Sequence, residues 1–328
     1  MQNSLDLTIC TVSYKHKRHL LLNHATLLRL NPKSTSSIPW LIVENFSGES
    51  TDKLKDGEGK FVLLPGSNDT SLGASHHHAV ALNSLIQHVQ SRYLLVLDPD
   101  FYLLLPHWIE SVLTHMREKK LAFFGVPWHP KYVENYRYFP AVHCMFIDLE
   151  QVPATTLDFR PILEADEYYE QQGILSRWAK KLFKYRWRQP WDTGARIYNR
   201  FSRTRLKYEC PLPVFRLPDD WLGEIAPLQK IKSRVLEHFL PDRMCYLPKL
   251  RTSYTEIDFA RRGFNIPVLP RLWEQFVWHD HPFGLHVRGS FSAAKRDQDS
   301  EYQLLEGVVE SIVDTVMLGN DKGLIIPK

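Results

Sequence analysis

Asp98 and Asp100 stand as Asp-Pro-Asp inside the most apolar run of the chain, Arg92-Tyr-Leu-Leu-Val-Leu-Asp-Pro-Asp-Phe-Tyr-Leu-Leu-Leu105. Two carboxylates at the mouth of a buried strand offer a divalent cation hard oxygen donors where water is partly excluded. Spacing alone carries nothing: Asp297-Gln-Asp299 shares it within the polar stretch 292–301, where a solvated loop is expected. The strand makes the difference, because a strand apolar on both faces is central in its sheet and ligands collect where such strands end. His76-His77-His78 invites a metal reading too, but consecutive residues on a helix point in different directions and cannot all reach one ion. His143 falls within an apolar run and reads as a core or acceptor-pocket histidine.

The elements that would position these residues follow from periodicity. Leu7–Ser13 is short and β-branched and reads as a strand, and a helix near Leu20–Leu30 ends before Pro32. Ile38–Glu44 is a second strand leading into the turn Asn45-Phe-Ser-Gly-Glu-Ser, and Lys60–Pro65 a short third. From Gly73 to about Val89 the apolar spacing is helical, with Ser71 or Ser75 as candidate caps. Arg92–Leu97 is the central strand, Pro106–Glu118 a helix, and Leu121–Val126 and Ala141–Asp148 two more strands. This alternation predicts an α/β fold with a mostly parallel sheet over residues 1–150. Beyond Val152 proline becomes frequent and topology is not readable, apart from a basic aromatic helix near Glu164–Arg188 and a closing helix, Tyr302–Leu318, whose apolar stripe is expected to pack on the body.

The 328 residues are 44% hydrophobic and 12% aromatic, enough for a substantial core. A net charge of +4 from 41 basic and 37 acidic residues does not mark a nucleic-acid binder, though it permits anionic ligands. Cys10, Cys144, Cys210 and Cys245 are widely spaced, which suits reduced thiols in a cytoplasmic protein. The opening residues show no export leader, and no later run reaches membrane-spanning length. The run Arg177–Arg188 holds six basic residues, four aromatics and no acid. A solvated cationic face is its favoured reading, and peripheral contact with an anionic membrane the other.

Phosphate-binding loops of the Gly-x-x-x-x-Gly-Lys type, Gly-x-Gly dinucleotide turns, Gly-x-Ser-x-Gly elbows and Cys-x-x-Cys or His-Glu-x-x-His zinc patterns are all missing. Four segments, in order, resemble the inverting family-two glycosyltransferases of the GT-A fold. Leu7-Thr-Ile-Cys-Thr-Val-Ser-Tyr14 looks like their opening strand and turn. Trp40-Leu-Ile-Val-Glu-Asn-Phe-Ser-Gly-Glu-Ser-Thr-Asp52 looks like their Ile-Val-Asp-Asn/Asp-x-Ser-x-Asp segment. Gly73-Ala-Ser-His-His-His-Ala-Val-Ala-Leu-Asn83 is similar to their Gly-x-x-x-Ala-x-Asn helix, and Tyr93–Asp100 to their metal-binding Asp-x-Asp strand. Lys15 and Glu44 depart from the usual Asn and Asp.

The resemblance implies a GT-A-like α/β fold with a nucleotide-sugar-binding half at 1–150 and an irregular, helical acceptor region at 151–328, the two expected to form one globular unit. It implies an enzyme that moves a sugar from a nucleoside-diphosphate donor, a UDP-sugar by default, to a hydroxyl acceptor: saccharide, small molecule or lipid-linked. Asp98, Asp100 and, from the C-terminal segment Trp278–Gly289, His286 would hold Mn²⁺ or Mg²⁺, with His279 and His281 as other imidazoles in that segment. Ser13, Tyr14, Glu44 and Asn45 would meet base and ribose, and Gly73, His76, Asp98 and Arg288 the donor's ribose and phosphates. The carboxylate that takes the acceptor proton would be Asp192, with Asp166, Glu167, Asp219 and Asp220 as alternatives; a plain helix cap is its other role. A sugar-nucleotide nucleotidyltransferase and a catalytically silent carbohydrate-binding scaffold of the same fold are the competing functions. The first would want a Gly-rich loop where Ser13-Tyr-Lys-His stands.

Overall fold

The computed structural model of the chain describes residues 6–33, 38–45, 61–66, 71, 73–129, 138–162, 192–215, 254–255, 273–287 and 298–321. The predicted basic helix at 164–188, Asp166, Glu167, Asp219, Asp220, Cys245 and Arg288 lie outside these residues.

The chain starts with strand β1 (Leu7–Ser13), helix α1 (Lys17–Leu30), β2 (Trp40–Glu44) and β3 (Val62–Leu64). Helix α2 (Ala74–Leu85) leads through a short 3₁₀ turn to β4 (Tyr93–Leu97). Gly73 occupies the N-cap of α2 at φ 87°, and neither Ser71 nor Ser75 caps it. After β4 come β5 (Phe101–Leu103), α3 (Trp108–Lys119), β6 (Leu121–Gly125) and β7 (Cys144–Asp148). The expected strand from Ala141 is shorter at its start, because Cys144 N–H turns back to the Ala141 carbonyl and places His143 in a turn. Helix α4 (Ala195–Phe201), β8 (Lys207–Glu209), β9 (Leu212–Phe215), β10 (Tyr254–Thr255), β11 (Trp273–Trp278), β12 (His281–Val287) and α5 (Gln298–Asp321) complete the described elements.

Seven strands form one sheet in the order β3-β2-β1-β4-β7-β6-β8. All its pairings are parallel except those of β7, which runs antiparallel to β4 and β6. Strand β4 is central and all five of its residues are buried, as its two-faced apolarity requires. Successive strand residues face opposite sides, so two cores form. Leu7, Ile9, Ile42, Leu95 and Phe146 join one with α1, α3 and α5, while Cys10, Val43, Leu94, Val96 and Ile147 join the other with α2 and α4. The buried stripe of α5, Leu305, Val308, Val309, Ile312, Val313 and Val316, packs on the body, and Tyr302 donates its hydroxyl to the Arg18 carbonyl.

The second sheet, β10-β9-β11-β12-β5, gives the C-terminal part a β component that its proline-rich sequence hides. Hairpin β11–β12 is antiparallel, with Glu274 opposite His286, and β12 pairs in turn with β5, Phe101 opposite His286. Strand β5 follows Asp100 directly, so Asp98-Pro-Asp100 is the bend by which the chain leaves one sheet and enters the other. Cys10, Cys144 and Cys210 are buried free thiols, each with its pKa raised by burial. No helix among the described residues is long and apolar enough to cross a membrane.

Strands β6 and β7 meet closely at Gly125, φ 156°, where an added Cβ would stand 2.0 Å from the Cys144 carbonyl oxygen. Backbone cannot give way as a flexible side chain can, so Gly125→Ala is expected to cost at least about 3 kcal/mol. Urea unfolding should show the loss as a lower midpoint at unchanged slope.

Candidate functional site

Strand β1 sits between β2 and β4, so the order of connections reverses there and the C-terminal ends of these parallel strands lie at one edge of the sheet, where ligands of such folds collect. Ser13 closes β1, Glu44 closes β2, and Asp98 follows β4. The Ser13 hydroxyl donates to Glu44 Oε2 at 2.7 Å, and the Lys15 N–H to Oε1 at 3.2 Å. Lys15 adopts a left-handed φ of 62°, which turns its N–H inward. Asn45 N–H bonds the Ser13 carbonyl at 2.8 Å, and its side-chain amide reaches the His77 carbonyl at 3.4 Å. Its buried Oδ1 has no hydrogen-bond partner among the described residues. Tyr14 and His76 are half-buried, and Gly73 leaves open space where a side chain would be.

The Asp-Pro-Asp bend is tied at every residue. Thr11 Oγ1 donates to the Leu97 carbonyl at 2.8 Å and itself accepts from the Trp40 indole at 3.0 Å. Asp98 N–H bonds the His143 carbonyl, Asn23 of α1 holds the Pro99 carbonyl at 2.8 Å, and Val287 N–H bonds the Asp100 carbonyl at 2.9 Å. The two side chains are largely removed from water, with 19% of Asp98 and 14% of Asp100 exposed. Burial raises the Asp98 pKa, with His78 opposing it.

Imidazoles surround these carboxylates. His286 Nε2 lies 3.6 Å from Asp100 Oδ1, and its Nδ1 donates at 2.8 Å to Glu274, a carboxylate with no exposure. Burial disfavours the charged His286 ring, but the flanking Asp100 and Glu274 outweigh it and push its pKa up to about 10. His78 Nε2 is 3.7 Å from Asp98 Oδ1, and burial lowers its pKa against the pull of Asp98. The His143 ring stacks on His286, centroids 4.6 Å apart and planes at 19°. Ligand atoms of Asp98, His143 and His286 all lie within 4.8 Å of one another. One or two carboxylates with two imidazoles are a donor set suited to a divalent ion. Of the other histidines in the C-terminal segment, His279 packs at the hairpin turn against His115 and Trp278.

Asp192 lies two residues before Gly194, the N-cap of α4, so it does not cap that helix with its side chain. Its carbonyl accepts the Ala195 N–H, and its carboxylate is half-buried. The adjacent Thr193 hydroxyl donates to the Ser75 carbonyl at 3.0 Å and lies 3.4 Å from His78 Nδ1. The segment carrying Asp192 thus rests on the first turn of α2, with the His78 ring between Thr193 and Asp98. Asp158 braces the same pair of helices, accepting from Asn83 of α2 at 3.3 Å and from Arg196 of α4 at 3.2 Å.

Sequence reading missed Asn23, Glu274 and the place of His143 beside Asp98 and His286. Glu274 carried a readable sign, a charge inside the apolar run Trp273-Glu-Gln-Phe-Val-Trp278. Asn23 and His143 gave none, since only the fold brings them to residues 98–100.

No protein-family model matches the chain, and no curated protein does. Solved structures similar to it include TarS of S. aureus in complex with UDP, at 11% identity over 47% of this chain and 49% of that one, with a TM-score of 0.36. A mannosyltransferase from Pyrobaculum calidifontis in complex with GDP-Man and Mn²⁺ matches at 11% identity over 47% of each chain, TM-score 0.33. The galactosyltransferase LgtC, in complex with donor and acceptor sugar analogs, matches at 11% identity over 76% of this chain and 87% of that one, TM-score 0.36. The chain spans about half the length of the TarS and mannosyltransferase structures.

Asp158 gives a test of how the Asp192 segment is held. Burial works to raise its pKa, but hydrogen bonds from Arg160 and Asn83 outweigh burial and hold the carboxyl below the usual aspartate range. A depressed folded pKa stabilises fully above the unfolded value near 3.9 and is lost as pH falls toward the folded one. Asp158→Asn should therefore lower stability at neutral pH, by about 1 kcal/mol or less after solvent screening. The gap to wild type should shrink below about pH 4 in urea unfolding at a series of pH values.

Proposed function

We propose that the chain is a metal-dependent inverting glycosyltransferase that moves a sugar from a nucleoside-diphosphate donor, a UDP-sugar by default, to a hydroxyl acceptor. What supports this reading is that Glu44 ends β2 and Asp98 follows β4, the two strands flanking β1, with His286 Nε2 3.6 Å from Asp100 beside them. A nucleoside on one side and a cation beside its diphosphate on the other fit that pairing of groups.

Glu44 is held by Ser13 and Lys15 and is only half-buried, so its remaining lone pairs can accept from a uracil N–H or a ribose hydroxyl. Asn45 adds the buried Oδ1 as a second acceptor for the nucleoside. Tyr14, Gly73, His76 and Arg288 belong to the same donor-binding set by their places in the sequence.

Asp98, Asp100 and His286 would hold Mn²⁺ or Mg²⁺. When bound, such an ion neutralises the negative charge that grows on the departing diphosphate. The chain's own residues prepare for this in their buried state: both carboxylates are largely desolvated, and Glu274 fixes His286 so that Nε2 faces Asp100. Asp192 would take the proton from the acceptor hydroxyl as that oxygen attacks the anomeric carbon opposite the leaving diphosphate. Its half-exposed position leaves room for an acceptor, and Thr193 anchors it beside α2.

Asp100→Ala should abolish Mn²⁺-dependent binding of UDP, followed by calorimetry, and reduce sugar transfer at least about 100-fold. Retained metal-dependent UDP binding in that variant would remove Asp100 from the cation. Asp192→Asn should slow transfer by about 10²–10⁴-fold while UDP binds as before. Full activity there would assign the base to another carboxylate.

A further inference from the structure

We infer that His143 is a further protein ligand of the cation, and that the site therefore selects a transition-metal ion over Mg²⁺. This rests on the metal-binding reading above and adds a ligand and a selectivity to it.

Atoms bound about 2.1 Å from one ion lie at most about 4.2 Å apart. The ligand atoms of Asp98, His143 and His286 already lie within 4.8 Å of one another, so a contraction of about half an ångström together with rotation of the two rings toward a common point would close the set around an ion. His143 cannot drift from Asp98, because its carbonyl accepts the Asp98 N–H at 3.0 Å and both side chains issue from that backbone link. Its ring stacks on His286 and meets Trp128 edge-on with centroids 4.8 Å apart, so both imidazoles must turn out of that stack for their in-plane lone pairs to meet at one ion. His286 is oriented from behind by Glu274, the arrangement that fixes which nitrogen of a metal-bound imidazole carries the proton. The two rings come from different sheets, His143 before β7 of the first and His286 from β12 of the second. Their meeting at Asp98 and Asp100 is a product of the whole fold.

The donor set decides the ion. Mg²⁺ demands near-ideal octahedral oxygen coordination, keeps several of its waters and is usually held by one or two carboxylates. Two imidazoles beside Asp98 and Asp100 suit Mn²⁺, Fe²⁺, Co²⁺ or Zn²⁺ instead.

The test is Mn²⁺ binding to the full-length chain without nucleotide, followed by electron paramagnetic resonance, with Mg²⁺ as competitor. Wild-type protein should show Mn²⁺ coupled to two imidazole nitrogens and resist displacement by a large excess of Mg²⁺. His143→Gln should lose one nitrogen coupling, weaken Mn²⁺ binding at least about tenfold and let Mg²⁺ compete. Thermal unfolding in metal-free buffer checks that the variant is folded, and His143→Asn serves in its place if it is not. Two nitrogen couplings and unchanged affinity in the His143 variants, with Mn²⁺ binding lost in Asp100→Ala, would remove His143 and leave the cation site standing. Unchanged Mn²⁺ affinity in Asp100→Ala would remove the cation site itself.

Discussion

The pairing of β5 with β12 is the constraint on which the rest of the site depends. It sets Phe101 opposite His286, so the residue after Asp100 is locked to a strand from far along the chain. Gly284 makes the close approach possible: a Cβ there would meet the Phe101 ring at 2.5 Å. Because β4 belongs to one sheet and β5 to the other, the bend between them cannot relax without breaking strand hydrogen bonds on both sides. Thr11, Asn23, His143 and Val287 bond its backbone groups, which leaves the carboxylates as the groups of the bend still turned toward chemistry. The polar backbone is satisfied inside the protein and the acids are not dispersed into water.

The two ends of β4 solve the burial of acids differently. At its start, Arg92 donates two hydrogen bonds to the buried Asp148 and pairs with Glu150 as well, a cluster of fixed charge that ties β4 to β7. At its end, Asp98 and Asp100 are met by imidazoles, whose charge responds to what else is present. Desolvation penalises two ionised carboxylates held together, and Asp98 is pushed toward its neutral form accordingly. A bound cation would relieve that penalty directly, whereas a guanidinium in the same place would have relieved it permanently and closed the site.

Legibility in the sequence followed the range of the interactions. Most strands and helices from Leu7 to Asp148 were readable because each is announced by local period and bounded by turns, but β5 was not, being three residues within the apolar run that β4 opens. The central place of β4 was readable for a related reason, since only a strand covered on both faces tolerates five apolar residues in a row. The hairpin β11–β12 was not, because Glu274, Gln275 and His286 are buried polar residues that blur strand alternation. Glu274 and His286 are polar because they pair with each other and His286 faces Asp100, a fact set by pairing across the fold. His143 was read as lying within a strand because the residues after it are strand-forming, and only the turn from Ala141 to Cys144 aims its ring at Asp98. Ser13, Glu44 and Asp98 do come to one edge of the sheet, since the parallel strands β1, β2 and β4 deliver their C-terminal ends there, with β1 lying between the other two.

That β5 completes itself only with β12 also bears on how the molecule comes into being. When residues 1–150 have left the ribosome they carry Asp98, Asp100 and His143, but β5 is then an edge strand whose partner has not been made. The parallel core can form early, while closing the loop from Asp100 to His286 is a late, long-range step of the kind that slows folding. Hairpin β11–β12 brings Glu274 and His286 to the acids, so Asp98, His143 and His286 come together only once residues far along the chain are in place.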